Sequence, residues 1–189
     1  MALTPKSSAI HTHKLTYSDY VNLPEDGKRY EILEGELAVS ATPVLRHQRV
    51  SRNLEFILHV YLRANDLGEV FNAPVTVILD EFTVVEPDLV FVSRERVGIL
   101  TDEAIEGSPD LLVEILSPST ARRDRETKAK LYARFGVDHY WIVDPDAHMV
   151  EVLERRGLRY RTAAVHEGEA TFGSPLFPGL TIALGEVWA

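Results

Sequence analysis

The pattern of apolar and polar positions predicts a chain of alternating strands and helices. Leu111 to Leu116 is an almost continuous apolar run, which is typical of a strand buried on both faces of a sheet. Pro118 ends this run, and the Ser and Thr residues around it can cap a following helix. That helix is predicted from about Ala121 to Phe135, and another buried strand, His139 to Pro145, comes after it.

Strand, helix and strand in this order predict a crossover connection between two parallel strands. The same pattern predicts the other elements: a short helix at 15–23, two strands around a turn at Glu34-Gly35, a helix at 44–64, strands at 69–79 and 84–92, a helical turn at 101–105, a hairpin around Arg156-Gly157 and a last strand from Phe177. We therefore predict an α/β (α+β) fold, in which helices 44–64 and 121–135 flank a mixed β-sheet.

The predicted helix at 121–135 has a packed face and a solvated face. Helical spacing places five residues on the packed face: Asp124, Lys128, Leu131, Tyr132 and Phe135. Lys130 lies on the solvated face. A lysine that packs against a sheet needs a negative partner, and Glu114 is the nearest candidate. The alternative is that Lys128 only lays its stem along the edge of the helix.

Two acidic residues stand where the pattern is apolar. Burying the Glu114 carboxylate requires a metal, a cation or a raised pKa. Asp88 follows Pro87 at the start of another apolar run. Two convergent carboxylates bind a hard cation such as Mg²⁺, which neutralises phosphate charge and activates water. Because Lys128 can hold that water or stabilise developing charge, these residues predict phosphodiester hydrolysis.

Composition limits the class of protein. The 189 residues suit one domain, which we predict over 15–189 after a flexible tail at 1–14. The chain has no cysteine, which excludes disulfides and thiolate zinc sites and fits a reducing compartment. Neither a signal peptide nor a membrane span is evident, so we expect a cytoplasmic protein with no membrane partner.

The net charge of −9 argues against a general nucleic-acid coat protein, but the helix at 121–135 carries a local basic cluster. Within it, Arg122, Arg123 and Lys130 are candidates for contacts with nucleic acid.

Several segments are similar to the Uma2 family (DUF820), a bacterial group within the PD-(D/E)XK restriction-endonuclease-like superfamily. The similar segments are 29–36, 86–91, 108–120, 124–132 and 136–145. The resemblance implies that fold and a DNA endonuclease that depends on Mg²⁺ (or Mn²⁺). By motif, Asp88 is the first acid and Glu114 the second. The superfamily places a lysine two residues after the second acid, where this chain has Leu116, and the resemblance suggests that Lys128 replaces it.

Three further residues are candidates for orienting the catalytic groups or contacting substrate. Glu31 lies in the first strand, where a solvated residue is the ordinary interpretation. His47 lies at the start of the helix at 44–64, where packing or capping is the ordinary role, although histidine titrates in a catalytic range. Asp124 lies on the packed face of the helix that carries Lys128.

Two other functions stay open because Leu116 replaces the usual lysine. One is a catalytically inactive nuclease-fold module that binds nucleic acid or protein, and the other is a small-molecule hydrolase at the same acids. A broad electropositive groove, rather than a small closed pocket, would favour a nuclease. Since cutting both strands of a duplex takes two active sites, we also expect a homodimer.

Overall fold

The strands of the protein form two main β-sheets and one small one in the computed structural model, which describes residues 13–189. The strands are β1 (Arg29–Leu33), β2 (Glu36–Ser40), β3 (Gly68–Asn72), β4 (Val77–Asp80), β5 (Thr83–Val85), β6 (Leu89–Ser93), β7 (Ile105–Glu106), β8 (Leu111–Ile115), β9 (His139–Asp144), β10 (Met149–Arg156), β11 (Arg159–Glu167), β12 (Thr171–Phe172) and β13 (Ile182–Ala183). Residues 1–12 of the predicted tail lie outside the described residues, and the single domain over 15–189 stays a prediction.

The larger sheet has the order β11-β10-β9-β8-β6-β3, and the smaller main sheet has the order β2-β1-β5-β4-β7. The mixed α+β fold class predicted from the sequence is confirmed, but two main sheets replace the one expected. The strands that follow Asp88, contain Glu114 and contain Trp141 are neighbours in the larger sheet, as predicted.

The predicted crossover is present between β8 and β9. These strands are parallel, with Leu111 opposite His139. Between them lies a π-helical turn, Arg123–Lys128, that continues into α3 (Ala129–Phe135). Gly136 ends α3 with a φ of 86°, a left-handed conformation that glycine adopts without strain. Leu131 and Tyr132 of α3 pack in one apolar cluster with residues of β8 and β9, so the helix lies against the sheet as its apolar stripe predicts.

The largest helix covers the other face of the larger sheet. This helix, α2 (Leu45–Asn65), buries Val50, Leu54, Leu58 and Leu62 in the same apolar cluster as residues of β6, β8 and β9. The opposite face of the sheet packs on α3 and on the smaller main sheet. Both faces of β8 are covered, which explains its unbroken apolar sequence.

Two segments predicted as strands are each divided between the main sheets. The segment 69–79 forms β3 and β4 on either side of Pro74, and the segment 84–92 forms β5 and β6 on either side of Pro87. Proline has no N–H to donate to a ladder, so each strand breaks where the proline stands. The link Glu86-Pro87-Asp88 consequently crosses from one sheet to the other, and Asp88 lies at the seam between them.

The remaining helices are short. They are α1 (Tyr17–Tyr20), a 3₁₀ helix (Arg94–Ile99) and α4 (Leu184–Trp188). The helical turn expected at 101–105 is absent, and the 3₁₀ helix stands before that position instead. Across residues 13–189, no helix is long and apolar enough to cross a membrane.

Candidate active site

The three predicted catalytic residues, Asp88, Glu114 and Lys128, come together with Glu31 in one pocket at the seam between the main sheets. Glu31 lies on β1, Asp88 in the link between sheets, Glu114 on β8 and Lys128 in the π-helical turn. All four side chains are buried. A buried set of opposite charges is stable only when its members are paired, and the contacts within the pocket provide that pairing.

Lys128 is surrounded by carboxylates. Its Nζ lies 2.8 Å from Glu114 Oε1, 2.6 Å from Glu31 Oε1 and 3.8 Å from Asp124 Oδ1. The contact predicted between Lys128 and Glu114 is confirmed, and the alternative of a side chain lying along the helix edge is wrong. Burial alone would lower the pKa of Lys128, but the charges of Glu114, Glu31 and Asp124 outweigh it and raise this pKa. Lys128 therefore remains protonated.

Asp88 is held by donors on both of its oxygens. Arg29 Nη1 lies 2.7 Å from Oδ1, and the Arg29 guanidinium also donates to the Glu86 carbonyl. Oδ2 accepts a hydrogen bond from the Ile115 backbone N–H at 2.7 Å and lies 3.2 Å from His47 Nε2. Although burial raises the pKa of Asp88, His47 and Arg29 lower it to about 2. Because an ionised carboxylate only accepts, His47 Nε2 is the donor.

Glu114 accepts two hydrogen bonds on one oxygen. The Tyr132 hydroxyl lies 2.7 Å from Oε1, the atom that Lys128 also contacts. Burial keeps the Tyr132 hydroxyl protonated by raising its pKa, so Tyr132 is a donor at any moderate pH. Neither donor uses Oε2. The two donors therefore fix the orientation of the Glu114 carboxylate while leaving its second oxygen to another ligand.

The pocket is short of positive charge. Burial and the charges of Asp124, Asp88 and Glu31 raise the pKa of Glu114. Lys128 lowers it, but by less, so the net effect is a raised pKa. Burial also raises the pKa of Asp124. Three carboxylates, those of Glu31, Glu114 and Asp124, thus share the one ammonium group of Lys128. An additional cation in the pocket would therefore stabilise their ionised forms.

The donor set of the pocket fits a hard divalent cation. Asp88 and Glu114 provide carboxylate oxygens, and the buried Asp124 Oδ1 has no hydrogen-bond partner among residues 13–189. In the same part of the chain, no three His, Asp or Glu side chains form a ready-made metal cage. Mg²⁺ is commonly held by one or two carboxylates together with waters and substrate phosphates, so two protein ligands are sufficient.

Three segments wall the pocket, whose volume is about 260 Å³. They are residues 40–44 before α2, residues 117–120 before the π-helical turn, and Pro145-Asp146 after β9. Leu116 is buried among apolar residues and also lines the pocket. The position two residues after Glu114, where the resemblance would place a lysine, is thus apolar. The ammonium group beside Glu114 is that of Lys128, in the π-helical turn.

The structure brings the three additional candidates into the same pocket. Glu31 is 4% exposed, so its interpretation as a solvated strand residue is wrong. His47 and Asp124 are buried beside Asp88 and Lys128 respectively. Their roles in catalysis stay predictions, because contacts alone do not assign a role.

The three basic candidates differ from one another. Arg123 lines the pocket and lies 3.7 Å from Glu31 Oε2. Arg122 is exposed and pairs with Glu126 at 3.3 Å. Lys130 is exposed and does not line this pocket. Only Arg123 therefore lies beside the catalytic candidates.

Sequence reasoning missed Arg29 and Tyr132. The signal for Arg29 was its alternation with Glu31, which places both side chains on one face of β1. The signal for Tyr132 was its position one turn after Lys128 on the packed stripe. The signal for Arg29 does not show that the smaller main sheet meets the link that contains Asp88. The signal for Tyr132 does not show that its hydroxyl reaches the Glu114 carboxylate beneath the helix.

The chain is similar to known proteins in sequence and in fold. The model of the Uma2 family, described as "Putative restriction endonuclease", matches residues 17–185. A solved structure of "a putative nuclease belonging to DUF820 from Anabaena variabilis ATCC 29413" has a TM-score of 0.77 at 18% sequence identity and covers 92% of this chain and 97% of its own. At that identity the likeness shows the fold. None of the curated proteins matches.

Proposed function

Because the chain belongs to the Uma2 family, whose description is "Putative restriction endonuclease", we propose that it hydrolyses phosphodiester bonds in DNA with Mg²⁺ or Mn²⁺. The observation that carries the proposal is the buried Lys128 ammonium beside Glu114, in the pocket that Asp88 also lines. An ammonium group and acidic side chains in one pocket are groups that metal-dependent phosphodiester hydrolysis can use, which supports the proposal.

Each residue has a distinct task in this proposal. Asp88 and Glu114 hold the cation, which when bound neutralises phosphate charge and lowers the pKa of a water ligand. Lys128 is protonated and cannot take a proton from water, so it stabilises the negative charge that develops on the phosphoryl oxygens. Arg29 and His47 keep Asp88 ionised and oriented.

The structure argues against the inactive-module alternative at one point. Loss of the lysine after the second acid, at Leu116, removes the usual ammonium group. Lys128 supplies an ammonium group 2.8 Å from Glu114 by another route. A chain that had lost catalysis would have no need to bury this lysine, because burying a charge is costly.

Circular DNA provides the test. The purified protein is incubated with supercoiled plasmid and with circular single-stranded DNA in Mg²⁺ or Mn²⁺, beside Glu114→Gln. Circles have no ends, so nicked circles or linear products report endonuclease activity. We expect cleavage by the wild type, none after chelation, and a loss of about 10²-fold or more in Glu114→Gln. Equal products from both proteins would reject the proposal.

The concave shape of the pocket favours one second candidate, a hydrolase of small phosphodiesters at the same acids. Concave pockets with a few convergent polar groups are the usual sites for small molecules. Hydrolysis of bis(p-nitrophenyl) phosphate without cleavage of either circular DNA would favour this candidate over the nuclease.

A further inference from the structure

We propose that the pocket accepts a single DNA strand and cleaves unpaired DNA in preference to an intact duplex. This inference rests on the proposed nuclease function and names the substrate class of the same site. It is carried by four observations: the depth of the catalytic groups, the lining of the pocket, the unsatisfied polar atoms in its walls and the charge around its mouth.

The catalytic groups lie deep. Asp88 is 2% exposed, and Glu114 and Lys128 are each 3% exposed. A scissile phosphate must pass below the rim of the pocket to reach them. In a duplex, each phosphate is held on the outer contour of a stiff double helix, and its neighbours on both sides would meet the rim. A single strand is flexible enough to bend one phosphate inward.

The lining of the pocket suits a single nucleotide. Its walls combine apolar surface from Val44, Leu116 and Pro118 with the hydroxyl groups of Ser117 and the residues after Pro118. A sugar and an unstacked base have the same mixture of apolar faces and polar edges. Enzymes that act on nucleotides in such pockets take unpaired strands, or remove the nucleotide from the stack.

Unpaired polar atoms are present in the walls. His47 Nδ1 and Arg123 Nε are buried and have no hydrogen-bond partner among residues 13–189. Both side chains line the pocket. Buried polar groups are almost always satisfied, so these atoms indicate groups that a ligand or ordered water completes. Donors and acceptors of this kind suit the edge of an unpaired base.

The charge around the mouth does not suit a duplex. Arg46 at the rim pairs with Asp146, and Arg123 in the wall lies 3.7 Å from Glu31 Oε2. The chain as a whole carries a net charge of −9. Binding along a duplex requires many free cations to replace condensed counterions. The local cations here are largely neutralised, so the site recognises a few phosphates rather than a long track.

The test compares three linear substrates of one sequence: a labelled single strand, the blunt duplex, and a duplex with a long single-stranded overhang, each in Mn²⁺. We expect the single strand and the overhang to be cleaved at least about tenfold faster than the duplex, because unpairing a nucleotide costs energy. Equal or faster cleavage of the duplex would overturn this inference and leave the nuclease proposal standing. Cleavage of none of the three would reject the nuclease proposal itself.

A substitution at the rim provides a second, independent arm. Val44 lines the mouth and is 65% exposed, so Val44→Trp should fold normally while narrowing the entrance. Phe56→Trp is the matched control, because Phe56 is 64% exposed on α2 and does not line the pocket. We expect Val44→Trp to raise KM for the single strand without changing the thermal midpoint, and Phe56→Trp to change neither. An unchanged KM in Val44→Trp would contradict the inference.

Discussion

At the residue scale, the site depends on which side chain supplies the positive charge. Lys128 contacts Glu31 and Glu114, whereas Leu116 packs among apolar residues. Sequence periodicity was sufficient to identify Glu114 and Lys128, because a carboxylate inside an apolar strand and a lysine on a packed stripe both require partners. It was insufficient for Glu31, since alternation along β1 shows which residues share a face but not what covers that face.

Lys128 and Lys130 make a matched pair for testing this assignment. Lys128→Ala removes a charge that stabilises the reacting phosphate, so single-turnover cleavage should slow by about 10²-fold or more. Lys130 is exposed, so Lys130→Ala should alter only the salt dependence of DNA affinity. Metal binding, measured separately, should survive in both variants. A greater loss of turnover in Lys130→Ala than in Lys128→Ala would show that the assignment is wrong.

Tyr132 is predicted to position Glu114. Tyr132→Phe keeps the ring and its edge contact with Tyr140 but removes the hydrogen bond to Glu114. Partners that orient a metal ligand typically contribute about 10–100-fold to metal affinity or activity. We expect the Mn²⁺ concentration for half-maximal cleavage to rise by about tenfold, with KM for DNA unchanged.

Tyr160→Phe is the control for that experiment, because the Tyr160 hydroxyl donates to the Val137 carbonyl and not to a catalytic candidate. Tyr160→Phe removes a tyrosine hydroxyl, as Tyr132→Phe does, but at a position outside the pocket. If both variants lowered the thermal midpoint and neither altered the Mn²⁺ dependence, the Tyr132 hydroxyl would be a structural group only.

At the element scale, the helix that carries Lys128 differs from a regular α-helix. Its first part is a π-helical turn, Arg123–Lys128, and such turns are frequent at functional sites. The 3.6-residue period predicted which side of the helix is buried, but period counting assumes uniform turns and cannot show one widened turn. The division at Pro74 and the change of sheet at Pro87 escaped prediction for a related reason: the apolar pattern continues while the sheet changes.

The packing of α2 can be tested through its buried stripe. Leu58 is 0% exposed, so Leu58→Ala should leave a cavity and lower the free energy of unfolding by about 2–5 kcal/mol. Phe56→Ala, two residues earlier on the exposed side, should change it by less than about 0.5 kcal/mol. Urea denaturation measures both. Similar losses in the two variants would mean that α2 does not pack through this stripe.

At the scale of the whole molecule, the active-site candidates lie where two sheets meet. The link containing Asp88 crosses between the sheets, and Arg29 reaches it from the smaller main sheet. The sequence predicted the fold class and the crossover unit because these follow from local patterns. It did not predict the second sheet, since the pairing of β1 with β5 joins segments far apart in the chain.

The expected homodimer is a prediction at this scale. Cutting both strands of DNA is most simply achieved by two symmetric sites. Multi-angle light scattering at micromolar concentration should give twice the 21.3 kDa mass of one chain. A monomer mass would remove this expectation, and it would agree with an enzyme that cuts single strands, for which one site is enough.

The most direct test of the central claim is calorimetric titration of Mn²⁺ into the wild-type protein, Glu114→Gln and Glu126→Gln. Glu126 is an exposed acid on the same helix as Lys128, so its substitution controls for the loss of one carboxylate at the surface. We expect one Mn²⁺-binding event in the wild type, the same event in Glu126→Gln, and the loss of that event in Glu114→Gln. Undiminished binding in Glu114→Gln would contradict the assignment of Asp88 and Glu114 as metal ligands.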